Sequence, residues 1–355
     1  GARMFAPSDA MVDAYLETLE AEKISATALT ALRDYVDSNL RPDNDFNITN
    51  RMMVFLFEGD DPVRSLHEEV VGELAFNMVG NTIRGTYGDF VLKDGKPWFF
   101  EPAVLMPSTH EANRRQLEVL RDFALSDGGI LENVIRFENP RKVQTTLVII
   151  KPDNFLKRTS RPGNIIDVFS REGLFMVGTK VLRLTREDAE EFYAPLREMF
   201  VEKLKKPVVN GLKRGLNDVF DFEIAEEMYG RMAEVLKELN AECEFRKIVD
   251  YMTGRDEEGA KLAPSERGKC LAILYQGDDA IKRIRTRLGA TNPAQAEAGT
   301  IRSIFARDLM RNGAHASDSP ENAERERKIV GLWEEGATCN FVERLAAALE
   351  SEAAS

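Results

Sequence analysis

Cysteine is scarce in this chain. Of 355 residues only three are cysteine, Cys243, Cys270 and Cys339. They lie far apart with no metal-ligand spacing, and an odd, sparse set fits a reducing compartment rather than a disulfide framework. No apolar run approaches bilayer-crossing length and no secretory leader is visible, so no membrane partner and a cytoplasmic location are expected. Positive charge is in deficit: 48 Lys and Arg against 60 Asp and Glu leave a formal net charge of -12. That balance argues against bulk affinity for nucleic acid or anionic membranes. Any site for a polyanion must then gather its positive charge locally, as the run Lys282-Arg283-Ile284-Arg285-Thr286-Arg287 can, although Lys282 and Arg283 also suit a solvated helix face. Hydrophobic content is ordinary, and the length suffices for two domains with real cores.

Histidine is equally scarce, at three residues, and one of them sits in the most informative stretch, Arg311-Asn312-Gly313-Ala314-His315-Ala316-Ser317-Asp318-Ser319. An amide precedes His315; a hydroxyl and a carboxylate follow it. A helix start comes next: Ser319 can cap, Pro320 suits the first helical position, and Glu321 lies in the first turn. A histidine beside a helix N-terminus and near arginines suits chemistry on phosphate. A lone histidine in a small-residue loop is also a common structural residue, so its neighbours decide. Upstream stand Thr146-Leu147-Val148-Ile149-Ile150-Lys151-Pro152-Asp153, then Arg285, Thr291-Asn292-Pro293 and Gly299-Thr300-Ile301-Arg302. Downstream stand Glu324-Arg325-Glu326 and Gly331-Leu332-Trp333.

In this order, over roughly 143–194 and 245–335, these motifs resemble the nucleoside diphosphate kinase family. Its signatures are a strand ending in Lys-Pro-Asp, a Thr-Asn-Pro turn, Gly-Thr-Ile-Arg and Asn-x-x-His-x-Ser-Asp-Ser. The resemblance implies an α/β (α+β) fold, a ferredoxin-like four-stranded antiparallel sheet covered by helices. It also implies transfer of the γ-phosphate of ATP to nucleoside diphosphates by a ping-pong route through phosphohistidine at His315. Glu326 would hold the imidazole, supported by Ser317, although Glu326 also sits in a charge run typical of a surface helix. Lys151, Arg285, Thr291 and Arg302 would meet the phosphates, Tyr193 would stand near the γ-phosphate, and Asn312 near the ribose. Phe245 or Phe200 would contact the base. Mg²⁺ would arrive on the nucleotide, with no protein-built metal cage, and a homo-oligomer is expected. The chain departs from the family at Phe192 (usually His), Met310 and Ala316 (usually Gly), and in extra residues between Glu326 and Gly331. A reading from another class is a catalytically weak nucleotide-binding regulatory protein; a protein histidine phosphotransferase is a further one. Retention of Lys151, Arg285, Arg302, Asn312 and His315 together favours catalysis, because binding alone needs no nucleophile.

The local patterns place these motifs. Thr145–Ile150 reads as a buried strand, Leu174–Leu184 and Cys270–Tyr275 as further strands, and 187–200, 279–288 and 320–333 as helices. Between Tyr193 and Phe245 the chain exceeds the family pattern, giving an expected helical insertion at about 198–243. There Ile224, Met228, Met232, Val235, Leu236 and Leu239 form a stripe at helical spacing, read as core packing. The chain also repeats itself. Phe57-Glu58-Gly59-Asp60-Asp61 parallels Tyr275-Gln276-Gly277-Asp278-Asp279, and Thr82-Ile83-Arg84 parallels Thr300-Ile301-Arg302. Residues 1–137 are therefore expected to be a degenerate copy entered at its second strand, with the kinase domain at 138–355. The counterpart of His315 falls among Val104, Leu105 and Met106, and that of Arg285 is His67.

Overall fold

Residues 145–150 string β-branched and long apolar side chains together without a break, which suits a strand covered on both faces. The computed structural model describes residues 1–355 apart from 45–48, 76–79, 133, 204, 217–218, 221, 256–266, 334–339 and 354–355, so Cys339 lies outside the described residues. The chain divides into two compact units. The first comprises Gly1–Glu138, Val177–Lys180 and Trp333–Ser355, and the second Asn139–Met176 and Val181–Leu332. This differs from an expected domain at 138–355: the helix Asn340–Ala353 sends Phe341 and Leu345 into a core with Phe5, Met11 and Leu120. Apolar residues four apart on one helix face need a cover, and the first unit supplies it.

In the first unit, strands β1 (Ala2–Phe5), β2 (Met52–Phe55), β3 (Asp89–Lys93), β4 (Lys96–Glu101) and β5 (Gly128–Gly129) form two small sheets. One has the order β2-β1-β5 and the other is the β3-β4 hairpin. A third sheet, of order β7-β8-β6-β9, is formed by β6 (Val143–Ile150), β7 (Phe175–Leu182), β8 (Cys270–Asp278) and β9 (Ala314–Ala316). Both neighbours of β6 run antiparallel to it. Leu147 to Ile150 are fully buried, each side chain contributing about 1.5–3 kcal/mol of transfer free energy. The helix Ala280–Leu288 covers the sheet with Ala280, Ile281, Ile284 and Leu288. The fold is thus α+β, with the ferredoxin-like sheet that the family resemblance implies.

The reciprocal bonds Asp188 N–H to Thr185 Oγ1 and Thr185 N–H to Asp188 Oδ2, both 3.1 Å, open the helix Arg186–Lys203. Helices Lys205–Leu216 and Glu226–Met252 follow. The stripe expected to be core is not: Met228, Val235 and Leu239 are exposed. The helix Glu226–Met252 buries instead Tyr229, Ala233, Ala241 and Phe245. Small residues on that face let the two preceding helices approach it, and periodicity alone does not say which of two faces is covered.

The two units share a local construction. Asp61 (φ 43°) and Asp279 (φ 53°) both open a helix from left-handed backbone, and Gly72 (φ 89°) and Gly289 (φ 86°) both follow one. Thr82 and Thr300 both cap a short helix, accepting from Gly85 N–H and Ser303 N–H. Two residues on, Arg84 donates to Gly72 O at 2.6 Å and Arg302 to Gly289 O at 3.0 Å. The stretch from Asp61 to Gly72 is one residue longer than its parallel, and a π-helical turn at Leu66–Val71 absorbs the surplus. A side chain at Gly72 would collide with Thr82 Oγ1 and Cβ. Gly72→Ala is therefore expected to lose about 1–3 kcal/mol of stability, seen as a lower thermal midpoint. Gly163→Ala, in an open helical position with nothing near its added Cβ, should gain up to about 1 kcal/mol. Equal midpoints for the two variants would refute this account of the lock.

Candidate active site

The site is built where β6 ends. Ile149 pairs with His315 and Ile150 with Ala314 across the antiparallel β6–β9 ladder, which sets Lys151, the next residue, beside the histidine loop. Lys151 is buried, and its Nζ donates to Asn312 Oδ1 at 2.8 Å and to Met310 O at 3.1 Å. Asp153 does not take that ammonium. Its carboxylate accepts from the Tyr251 hydroxyl at 2.5 Å and from Arg161 at 3.2 Å. Asn154 ties the end of β6 to the loop, donating to Gly313 O at 2.6 Å and Lys151 O at 3.0 Å. The Asp308 carboxylate holds the other side, accepting from Met310 N–H at 2.9 Å and Arg311 N–H at 2.6 Å.

His315 Nε2 lies 2.9 Å from Glu326 Oε2, and the Ser317 hydroxyl donates to the same oxygen at 2.6 Å. Burial alone would raise the Glu326 carboxyl. Its interaction with His315, the bond from Ser317, and Arg325 outweigh it and hold the group below the ordinary carboxylate range. Glu326 reaches in because the helix Pro320–Ile329 starts at once after the loop, with Ser319 accepting from Asn322 N–H. Phe192 and Tyr193 meet the imidazole edge to face, with ring centroids 5.0 and 6.3 Å away. Arg325 fixes that wall, donating to the carbonyls of Glu191 at 3.0 Å and Phe192 at 3.1 Å.

Positive charge surrounds the histidine. Arg285 donates to Ala316 O at 3.3 Å, and Arg302 to Gly289 O at 3.0 Å and Thr291 Oγ1 at 3.3 Å. Burial and then Arg285 bring the Arg302 guanidinium down to about 10. Burial and then Arg302 push the Lys151 ammonium down to about 8, with Asp153 working the other way. Several buried polar atoms here, the Tyr193 hydroxyl oxygen, Arg302 Nε, Asn154 Oδ1, Arg161 Nε and Arg325 Nε, have no hydrogen-bond partner among the described residues. Native interiors seldom leave such atoms unpaired, and a polar ligand is one way to satisfy them. A cleft of about 650 Å³ adjoins Arg285, lined also by Lys282, Gly289, Thr300 and Asp318. It takes in neither Lys151 nor His315.

The structure thus gathers Lys151, Tyr193, Arg285, Thr291, Arg302, Asn312, His315, Ser317 and Glu326 into one region. It does not bring Phe245 to that surface. That ring is only 1% exposed, capped by the Arg197 guanidinium 4.2 Å from its centroid, so it has no free face for a base and the expectation is corrected. Helical periodicity explains the error, since Phe245 belongs to the covered face with Ala241 and Val249. Phe200, on the helix Arg186–Lys203, stays partly exposed. Sequence reasoning also missed Asn154, Tyr251 and Arg325, and it read Asp153 only as part of the Lys-Pro-Asp signature.

The family model for nucleoside diphosphate kinase matches residues 144–212 and 230–332. The nucleoside diphosphate kinase of Archaeoglobus fulgidus is 33% identical over 184 residues, 52% of this chain and 83% of that protein. The chain belongs to the nucleoside diphosphate kinase family. The Methanothermobacter thermautotrophicus nucleoside diphosphate kinase is 32% identical over 199 residues, covering 56% of this chain and 93% of its own length. A crystal structure of the Aquifex aeolicus nucleoside diphosphate kinase is 27% identical, covers 53% of this chain and 94% of its own, and superposes with a TM-score of 0.35. Between its two matched segments the nucleoside diphosphate kinase family model leaves 213–229 unmatched, across the end of the helix Lys205–Leu216 and the start of the helix Glu226–Met252.

The lowered Lys151 value has a readable consequence. The ammonium is charged below about pH 8 and lost above it, so phosphate affinity should fall as pH rises through that value. The expected result is a kcat/KM for nucleotide that declines above about pH 8 with a one-proton limb. In Lys151→Arg, whose side chain stays protonated, that limb should vanish even if the maximum drops. Because the folded value lies below the ordinary 10.5, the unfolded chain binds more protons between the two. Stability should therefore rise over that window, opposite in sign to affinity. A limb that persists unchanged in Lys151→Arg would assign it to another group.

Proposed function

We propose that the chain is a nucleoside diphosphate kinase that passes the γ-phosphate of ATP to nucleoside diphosphates through phospho-His315. The observation that carries this reading is the 2.9 Å contact between His315 Nε2 and Glu326. A carboxylate on Nε2 keeps the proton there and leaves Nδ1 with its lone pair. Nδ1 attacks the γ-phosphorus in line, the bond to the β,γ-bridging oxygen breaks, and ADP leaves with the electron pair. The incoming diphosphate then attacks the phosphohistidine through a terminal β-oxygen, and Nδ1 takes back its pair. Charge on the transferring group is met by Lys151, Arg285 and Arg302, with Thr291 and Tyr193 as hydroxyl partners and Asn312 toward the ribose. Phosphoryl transfer depends mainly on such positioning and neutralisation. Mg²⁺ enters on the nucleotide as part of the substrate.

Incubation with γ-labelled ATP should leave an acid-labile, base-stable label on the protein. His315→Ala should abolish both label and turnover, the latter by at least about a thousandfold. Turnover within tenfold of the unaltered chain would sink the assignment.

We also infer that residues 1–137 form a degenerate copy of the same fold. The shared Gly-Thr-Arg construction supports this, as does what fills the corresponding interior. Arg84 is spent on Gly72 O and on Val104 O at 3.0 Å. The Glu22 carboxylate, satisfied by Gln116 at 2.8 Å and by Ser108 N–H at 2.7 Å, stands close enough to affect the Arg84 charge. An internal carboxylate there opposes phosphate binding. Equilibrium dialysis with a non-transferable ATP analogue should give one nucleotide per chain, lost in Arg302→Ala. Two equivalent sites would refute the degenerate reading.

A further inference from the structure

The helix Glu226–Met252 packs one face against the helices Arg186–Lys203 and Lys205–Leu216 and leaves another open. On the open face Met228 is 47% exposed, Val235 77% and Leu239 70%, with Met232 partly exposed between them. At 3.6 residues per turn these four side chains fall within an arc of about 60°. Their alternating spacing of four and three is that of a two-helix seam. A contiguous apolar row of this kind on a soluble surface marks a contact site.

We propose that this seam is the contact between two copies of the chain, paired antiparallel about a two-fold axis. Self-complementarity carries the proposal. When the helix is reversed against itself, Met228 faces the second copy's Leu239 and Met232 faces the second copy's Val235. The two remaining layers repeat these by symmetry, so every seam residue finds an apolar partner in one register, as an isologous contact requires.

The flanking charges select the same arrangement. Arg231 and Glu238 are exposed along one edge of the seam. Neither makes an ion pair among the described residues, whereas Glu234 is taken by Lys205 and Lys237, and Glu242 by Arg197 and Arg246. In the antiparallel register Arg231 lies against the second copy's Glu238, twice per pair. A parallel register sets Arg231 against Leu236 and Glu238 against Cys243, with no opposite charge for either. Four layers make a short seam, so the association depends on protein concentration.

The test is analytical ultracentrifugation of the full chain across a hundredfold range of concentration. Val235→Asp, at a site too exposed to disturb the fold, should halve the mass of the largest assembly. Arg231→Glu and Glu238→Arg should each weaken the association by roughly tenfold, since each turns two attractions into repulsions. The combined R231E/E238R chain should recover the unaltered behaviour. Circular dichroism and thermal midpoints should match across the set, separating lost pairing from lost folding. If Val235→Asp leaves the assembly unchanged, the seam meets something other than a second copy and the proposal fails. If the double reversal stays as weak as the single ones, the antiparallel register is wrong.

Discussion

The site depends on three rungs of β-ladder. Val148, Ile149 and Ile150 of β6 pair with Ala316, His315 and Ala314 of β9, and this short pairing sets the histidine loop in register with the end of β6. Because side chains alternate across a strand, a slip of one residue would turn His315 to the other face of the sheet and carry Glu326 out of reach. Buried polar bonds guard the register: Lys151 N–H to Gly313 O at 3.1 Å, Lys151 Nζ to Asn312, and Asn154 to Gly313 O. Each would be stranded in an apolar interior by a shift, at a cost of about 1–3 kcal/mol apiece.

This arrangement also reconciles a buried cation with a stable core. An ammonium out of water needs partners, and the partners of Lys151 are neutral oxygens of Asn312 and Met310 rather than the adjacent Asp153. Asp153 is engaged by Tyr251 and Arg161. Sequestering that carboxylate keeps it from neutralising the lysine, so the positive charge remains available to an anion. The departure at Met310 is harmless in this respect, since the residue contributes only its carbonyl.

Much of the gathering was legible through the family resemblance of its motifs, and only the part around the histidine rests on residues close in sequence. Ser317 and Glu326 flank the histidine within a loop and the helix it opens, and the Ser319 cap and Pro320 announce that helix. The buried run before Lys151 announces the strand. What stayed hidden depends on distant faces. Tyr251 reaches Asp153 across a separation that no local pattern records. Phe245 and the Met228–Leu239 stripe lie on opposite sides of one helix with apolar residues on both. Period identifies such stripes, but only the packing of neighbouring helices decides which is covered. The membership of Phe341 and Leu345 in the first unit was hidden for the same reason.

The lock formed by a left-handed glycine, a capping threonine and a buried arginine recurs where no histidine follows it. In the first unit Arg84 spends its guanidinium on two carbonyls, those of Gly72 and Val104. The lock therefore works as an architectural joint in both units, and Arg302 forms part of one. One of its nitrogens, Nη1, braces the glycine turn and Thr291, and its Nε is left unpartnered, as is that of Arg84. Truncating the Arg302 side chain removes a structural brace together with a charge, whereas citrulline in its place would discard the charge and one terminal nitrogen and keep the other to brace the glycine turn.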